Sequence, residues 1–215
     1  FVDSIIHNGS ASQGAMFSDS HHTVILGSTI AATSQHAFYG GPGGYSVLSN
    51  NDFSTPALEG LRIAANNVIP QRFIVITDNI INGAYHGVEF VITQGIWPDS
   101  QGYPMSYSEN VLFERNVVTT DSQLTATNQK VVMRNNRMTV IPIIGEDSAP
   151  PGTAGPFDVF IYDNTGTGSP FASVSSPAPQ RVYVYNNLIS GSCEIGNQPP
   201  GVTGGCAGTP PTIPV

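Results

Sequence analysis

The sequence predicts an all-β solenoid of short strands, and three observations predict it. A strand-like segment ending in asparagine recurs along the 215 residues, clearest as Ile74-Val-Ile-Thr-Asp-Asn79, Val111-Leu-Phe-Glu-Arg-Asn116, Val131-Val-Met-Arg-Asn-Asn136 and Val182-Tyr-Val-Tyr-Asn-Asn187. The copies are 20 to 37 residues apart, a spacing typical of repeat architectures with variable loops. Within each copy apolar residues alternate, as a strand with one buried face requires.

Taking the terminal polar residue as a register mark gives Asp3, Ser28, Asn51, Asn79, Asn116, Asn136, Asn164 and Asn187, hence about eight coils. Five residues before the mark stand Thr23, Ser46, Ile74, Val111, Val131, Val159 and Val182, and three before it Ile25, Leu48, Ile76, Phe113, Met133, Ile161 and Val184. Both columns are predicted to face inward. Two residues after the mark, Ile5, Ile30, Phe53, Ile81, Val118, Met138 and Ile189 resume the inward pattern, and Gly166 interrupts it. A third strand per coil is predicted from Gly14-Ala-Met-Phe17, His36-Ala-Phe-Tyr39, Gly60-Leu-Arg-Ile63 and Gly87-Val-Glu-Phe90.

The asparagines are expected to form a structural ladder. A turn residue between strands is often left-handed, which asparagine tolerates, and a buried amide must find partners. Strands about 4.8 Å apart put the equivalent residue of the next coil within reach.

Charged residues are 10% of the chain, against about 25% in an average globular protein, and 15 acidic residues face 7 basic ones with Lys130 the single lysine. Phosphate binding needs clustered cations, so nucleic acid is excluded as a partner. With 40% apolar residues and no run long enough to span a bilayer, a core is expected and membrane insertion is not. Residues 1–190 read as the solenoid and 191–215 as a Gly/Pro-rich cover or tail without strand pattern. Its Cys193 and Cys206, the two cysteines of the chain, are expected to form a disulfide, as befits an extracellular or cell-surface location. The first residues read as the middle of a coil with an open edge, which predicts either a preceding segment or a homo-oligomeric or end-to-end contact.

Three strands per coil, asparagine at one turn and loops of varying length resemble the right-handed parallel β-helix of the pectate-lyase-like superfamily. The likeness covers nearly the whole chain and is architectural. It implies a polysaccharide partner lying along the outer face of one sheet, with catalytic groups from neighbouring coils. Some enzymes of that superfamily use calcium, but no ligand spacing here specifies a metal or other cofactor.

Aligning the third set of strands on their first residues places Met16, Phe38, Arg62 and Glu89 in one outward column and His36 beside Gly14, Gly60 and Gly87. Glu59, Tyr85 and His86 precede these strands. Six functional side chains, Arg62, His86, Glu89, Glu59, His36 and Tyr85, thus converge in a chain poor in charge. A polysaccharide lyase would use Arg62 to neutralise a uronate carboxylate and His86, His36 or Tyr85 as base. A glycoside hydrolase would use Glu59 and Glu89 as its carboxyl pair. The same residues also read as a surface Arg–Glu pair with ordinary histidines and no chemistry. The insertion after the Glu89 strand carries Trp97, Tyr103 and Tyr107, rings able to stack on sugars or to pack the loop down.

A further outward column, Val24, Val47, Val75, Leu112, Val132, Phe160 and Tyr183, is apolar, and beside it Glu114 and Arg134 are expected to pair. It supports the competing reading, a non-catalytic β-helical surface, adhesin or filament protein.

Overall fold

Alternating apolar residues between tight left-handed turns produce three parallel sheets and, among the described residues, no helix. The computed structural model describes residues 1–8, 13–17, 22–32, 34–40, 44–55, 58–65, 71–83, 88–92, 108–120, 122–124, 129–138, 143–144, 157–166, 180–189 and 202–205. The first sheet has eight strands, Ile5–Asn8, Thr29–Ala32, Asp52–Ser54, Ile80–Asn82, Val117–Val118, Arg137–Met138, Thr165–Gly166 and Leu188–Ile189. The second has six, Gln13–Phe17, His36–Gly40, Leu61–Ala65, Val88–Ile92, Ser122–Leu124 and Ile143–Ile144. The third has eight, Val24–Leu26, Gly44–Ser49, Gln71–Thr77, Ser108–Glu114, Gln129–Arg134, Phe157–Tyr162, Gln180–Tyr185 and Val202–Gly205. Each strand pairs in parallel with its counterpart from the neighbouring repeat, an order compatible with a parallel β-helix or solenoid.

The last of these strands corrects the reading of the C-terminal region as strandless: Val202–Gly205 pairs with Val182–Tyr185. Two glycines in that strand hid its pattern. Cys193 and Cys206 lie outside the described residues.

In-register stacking puts like residues on like. The two columns read as inward are buried wherever described, from Ile25, Leu48 and Ile74 through Phe113, Met133 and Ile161 to Val184. Across the turn Ile30, Phe53, Ile81, Val118 and Met138 complete the core.

The ladder runs through the turn between the third and first sheets. Asn51 Nδ2 donates to Asn79 Oδ1 (3.0 Å), Asn79 Nδ2 to Asn116 Oδ1 (2.9 Å), and Asn116 Nδ2 to Asn136 Oδ1 (3.1 Å). Asn136 and Asn164 continue it at 2.8 Å each. Each amide also donates to a main-chain carbonyl, as Asn116 does to that of Ile76 at 2.9 Å. A buried polar side chain satisfied at every hydrogen is a constraint on register as much as a source of stability.

Two details of the turn differ from expectation. The left-handed residue is the one before the ladder position, Gly27, Asn50, Asp78, Arg115, Asn135, Asp163 and Asn186, at φ between 50° and 59°. The first mark is therefore Ser4 and not Asp3, because Asp3 has φ 46° and the Ser4 main-chain N–H donates to Ser28 Oγ at 3.1 Å. Ile6, not Ile5, accordingly packs on the core, and Ile5 is 74% exposed.

Small residues mark where the second sheet begins. A Cβ on Gly60 would stand 2.7 Å from the Asn82 carbonyl oxygen and 2.8 Å from Ile81 Cγ2, closer than packed atoms allow. Gly60→Ala is expected to lower stability by about 1–3 kcal/mol through backbone displacement, measurable as a shifted urea midpoint with unchanged slope.

Candidate functional site

The second sheet brings together His36, Glu59, Arg62 and Tyr39. Its register differs from the sequence alignment by one residue in one strand. Ala15 pairs with Phe38, Met16 with Tyr39, and Tyr39 in turn with Arg62. Ala37, fully buried, therefore takes the column of Gly14 and Gly60, and Phe38 faces inward at 0% exposure, not outward. The physical reason is space: the column needs the smallest side chain, and Ala37 fits it while His36 does not. In register, Met16 pairs with Tyr39, Tyr39 with Arg62 and Arg62 with Glu89, and of these the side chains of Tyr39 and Arg62 are described, both half-buried. Tyr39 is the functional side chain that alignment by first residue missed, and matching small residues with small residues would have found it.

One step earlier along the strands, Glu59 meets His36. The Ala37 main-chain N–H donates to the Glu59 carbonyl at 3.3 Å, which holds the two segments side by side. His36 Nδ1 lies 2.5 Å from Glu59 Oε2, and both side chains are buried. Arg62 Nη1 approaches the same oxygen at 3.8 Å. The Arg62 guanidinium also sits 5.7 Å above the centre of the Tyr39 ring, and the His36 and Tyr39 rings are 4.9 Å apart. Arg62 is half-buried and Tyr39 likewise, so this pair forms the outer layer and His36 with Glu59 the inner one.

Electrostatics gives Glu59 a definite state. Burial pushes its carboxyl up, but the close contact with His36 and the charges of His36 and Arg62 more than offset this and hold it below the usual carboxylate range. Glu59 is therefore an anion, suited to orienting an imidazole or a guanidinium and unsuited to donating a proton. A proton donor for glycoside hydrolysis needs the opposite shift.

Of the other sequence candidates, Tyr85, His86, Trp97, Tyr103 and Tyr107 lie outside the described residues, as does the side chain of Glu89. Among the described residues no group of three or more His, Cys, Asp or Glu is arranged to hold a metal ion.

The expected Glu114–Arg134 pair on the third sheet is present, Arg134 Nε donating to Glu114 Oε1 at 2.7 Å. It belongs to a longer chain of ions. Arg115 grips Asp78 through Nε and Nη2 (2.8 and 2.9 Å) and Glu114 through Nη1 (2.6 Å), while Arg134 Nη1 donates to the Tyr162 hydroxyl at 3.1 Å. Arg115 hydrogen bonds hold the Asp78 carboxyl below its ordinary range. The neighbouring apolar column is outward as expected, from Val24 at 43% exposure to half-buried Val47, Val75, Leu112 and Val132, but Phe160 is 7% exposed and stacks on Tyr183 at 5.1 Å.

A comparison with protein-family models found no match to this chain, nor did comparisons with curated proteins and with solved structures.

Proposed function

We propose that the chain winds as a right-handed parallel β-helix of about eight coils, of the pectate-lyase-like kind, and acts outside the cell as a lyase on a uronate-containing polysaccharide. The observation that carries this reading is Glu59 held as an anion between His36 and Arg62, one layer beneath the outward Tyr39–Arg62 pair. In that role Arg62 neutralises the uronate carboxylate, which makes the adjacent carbon acid. Glu59 Oε2 faces His36 Nδ1 at 2.5 Å and in this role orients the imidazole, whose Nε2 takes that proton, as an orienting carboxylate does for a catalytic imidazole. The electron pair left on carbon forms the double bond, the bond to the leaving sugar oxygen breaks, and that oxygen takes up a proton, with the Tyr39 phenol as donor. The depressed Glu59 titration does not suit Glu59 as the proton donor of a hydrolytic carboxyl pair.

Incubation with a panel of uronate and neutral polysaccharides tests it. The expected result is ultraviolet absorbance from unsaturated ends with uronate polymers alone; reducing ends without that absorbance would show a hydrolase instead.

A second reading, a non-catalytic surface or filament protein, is favoured by the outward column that begins at exposed Val24. It predicts silence across the panel and concentration-dependent association in sedimentation velocity.

A further inference from the structure

Six residues before the ladder positions from Ser28 to Asn164 the chain runs through a second left-handed column in or beside the third sheet. His22, Tyr45, Phe73, Asn110, Lys130 and Asp158 occupy it, all with φ between 50° and 58°. The conformation is a property of the fold, since every described repeat from His22 to Asp158 shows it. The residue types are not. Asn110 and Asp158 are types that tolerate this region well, whereas a bulky aromatic residue there is a steric outlier. Aromatic rings in three successive repeats therefore answer a need that the backbone does not impose.

The rings do not serve the core either. Tyr45 is 58% exposed and Phe73 45%, and His22 is exposed as well. They stack on one another along the axis of the repeats, His22 on Tyr45 at 5.4 Å and 12°, Tyr45 on Phe73 at 5.0 Å and 16°. Beside them lies the outward Val24, Val47 and Val75 column. The result is an exposed aromatic ledge, one ring per repeat, rigid because each ring has few rotatable bonds and a stacked neighbour.

Its surroundings indicate what it holds. In a chain of net charge −8 with 7 basic residues, Arg72 precedes Phe73 and Lys130 stands two repeats further along the ring column. Glu109 lies between them, 3.2 Å from Arg72 Nε and 2.6 Å from Lys130 Nζ, and Asp158 follows in the column. Apolar ring area followed by a segment that carries Arg72 and Lys130 complements a chain that alternates apolar ring faces with carboxylates. The ledge also starts close to the candidate site: Tyr45 is six residues after Tyr39, a reach of at most about 20 Å.

We propose that the His22–Tyr45–Phe73 ledge is a binding site for a uronate-containing oligosaccharide, laid along the repeats with its carboxylates toward Arg72 and Lys130. The assignment rests on the reading of the second-sheet site as uronate-specific, and deepens it by naming where the polymer is held away from the reacting bond.

The test uses the double variant Tyr45→Asn/Phe73→Asn, which supplies the residue that the same column carries at Asn110. Native electrophoresis through gels containing polygalacturonate, or a neutral glucan as control, reads binding without turnover. The expected result is at least a tenfold weaker retardation by polygalacturonate, little retardation by the glucan in either protein, and a Tm that is unchanged or raised. Undiminished retardation overturns the proposal, and a fall in Tm together with lost binding shows instead that the rings are structural. Sedimentation velocity covers the remaining occupant: self-association of the wild type that the variant abolishes, with sugar binding intact, makes the ledge a contact between copies and overturns the proposal too. If the wild type is retarded and the variant is not, while neither produces unsaturated ends, the ledge stands and the lyase reading falls. If Arg62-dependent turnover is seen and the variant binds like the wild type, the ledge alone falls.

Discussion

Replacing Asn116 by alanine is expected to lower the free energy of unfolding by about 3–6 kcal/mol, more than any other single ladder-turn substitution outside the asparagine column. Asn116 is fully buried and its side chain takes part in four hydrogen bonds. Its Oδ1 accepts from the Asn79 main-chain N–H at 3.0 Å, and truncation to alanine removes that acceptor from a buried donor. An orphaned buried N–H costs about 1–3 kcal/mol, and each of the other lost bonds adds about 0.5–1.5. The neighbouring Asn135 is the control: exposed, at φ 55°, it should lose only about 1 kcal/mol as alanine, the cost of a left-handed residue without asparagine's local bonding. Urea unfolding of the two variants measures the contrast. Equal losses would show that the ladder is geometry without energy.

Glu59 carries the second large effect, and it has two parts. Glu59→Ala leaves His36 buried without its carboxylate and is expected to destabilise by about 3–5 kcal/mol, the range for breaking one side of a buried pair. Glu59→Gln keeps an acceptor for His36 Nδ1 but removes the charge; it should be milder for stability and still lower kcat on a uronate polymer by about 10²–10⁴. The pH dependence follows from the direction of the Glu59 shift. Its folded titration lies below the ordinary value of 4.5, so the stability it contributes is fully present above that value and is lost as pH falls through the folded titration. The difference in unfolding free energy between wild type and Glu59→Gln should therefore be largest near neutral pH and shrink in acid. A difference that grows in acid would contradict the assignment of Glu59 as the buried anion.

Most of the fold was legible because its signal is repeated. An inward column such as Ile25, Leu48, Ile76, Phe113, Met133 and Ile161 restates one position in successive repeats, so a weak local preference becomes an unambiguous register. Register failed where that repetition was thin. At Asp3 and Ser4 a single aspartate imitated the mark, and only the left-handed turn at Asp3 and the Ser4–Ser28 hydrogen bond set it right. In the His36 strand, alignment by first residue matches histidine with glycine, whereas packing against the neighbouring carbonyls selects by size and so selects Ala37. The site inherits that shift. His36, Glu59 and Arg62 were legible as scarce functional residues near one sheet, but their layering was not, since it depends on which residue faces out. The aromatic ledge was invisible to pattern reading for a different reason: a left-handed φ at Tyr45 and Phe73 breaks the period-two rule just where those rings begin.

The central claim is that Arg62 recognises a uronate carboxylate, and it is tested most directly by comparing initial rates of unsaturated-end formation on polygalacturonate and on its methyl ester. Wild-type protein is expected to favour the free acid by at least tenfold, and Arg62→Ala to erase that preference while remaining cooperatively folded. A preference that survives Arg62→Ala, or the absence of unsaturated ends from both polymers, would contradict the account.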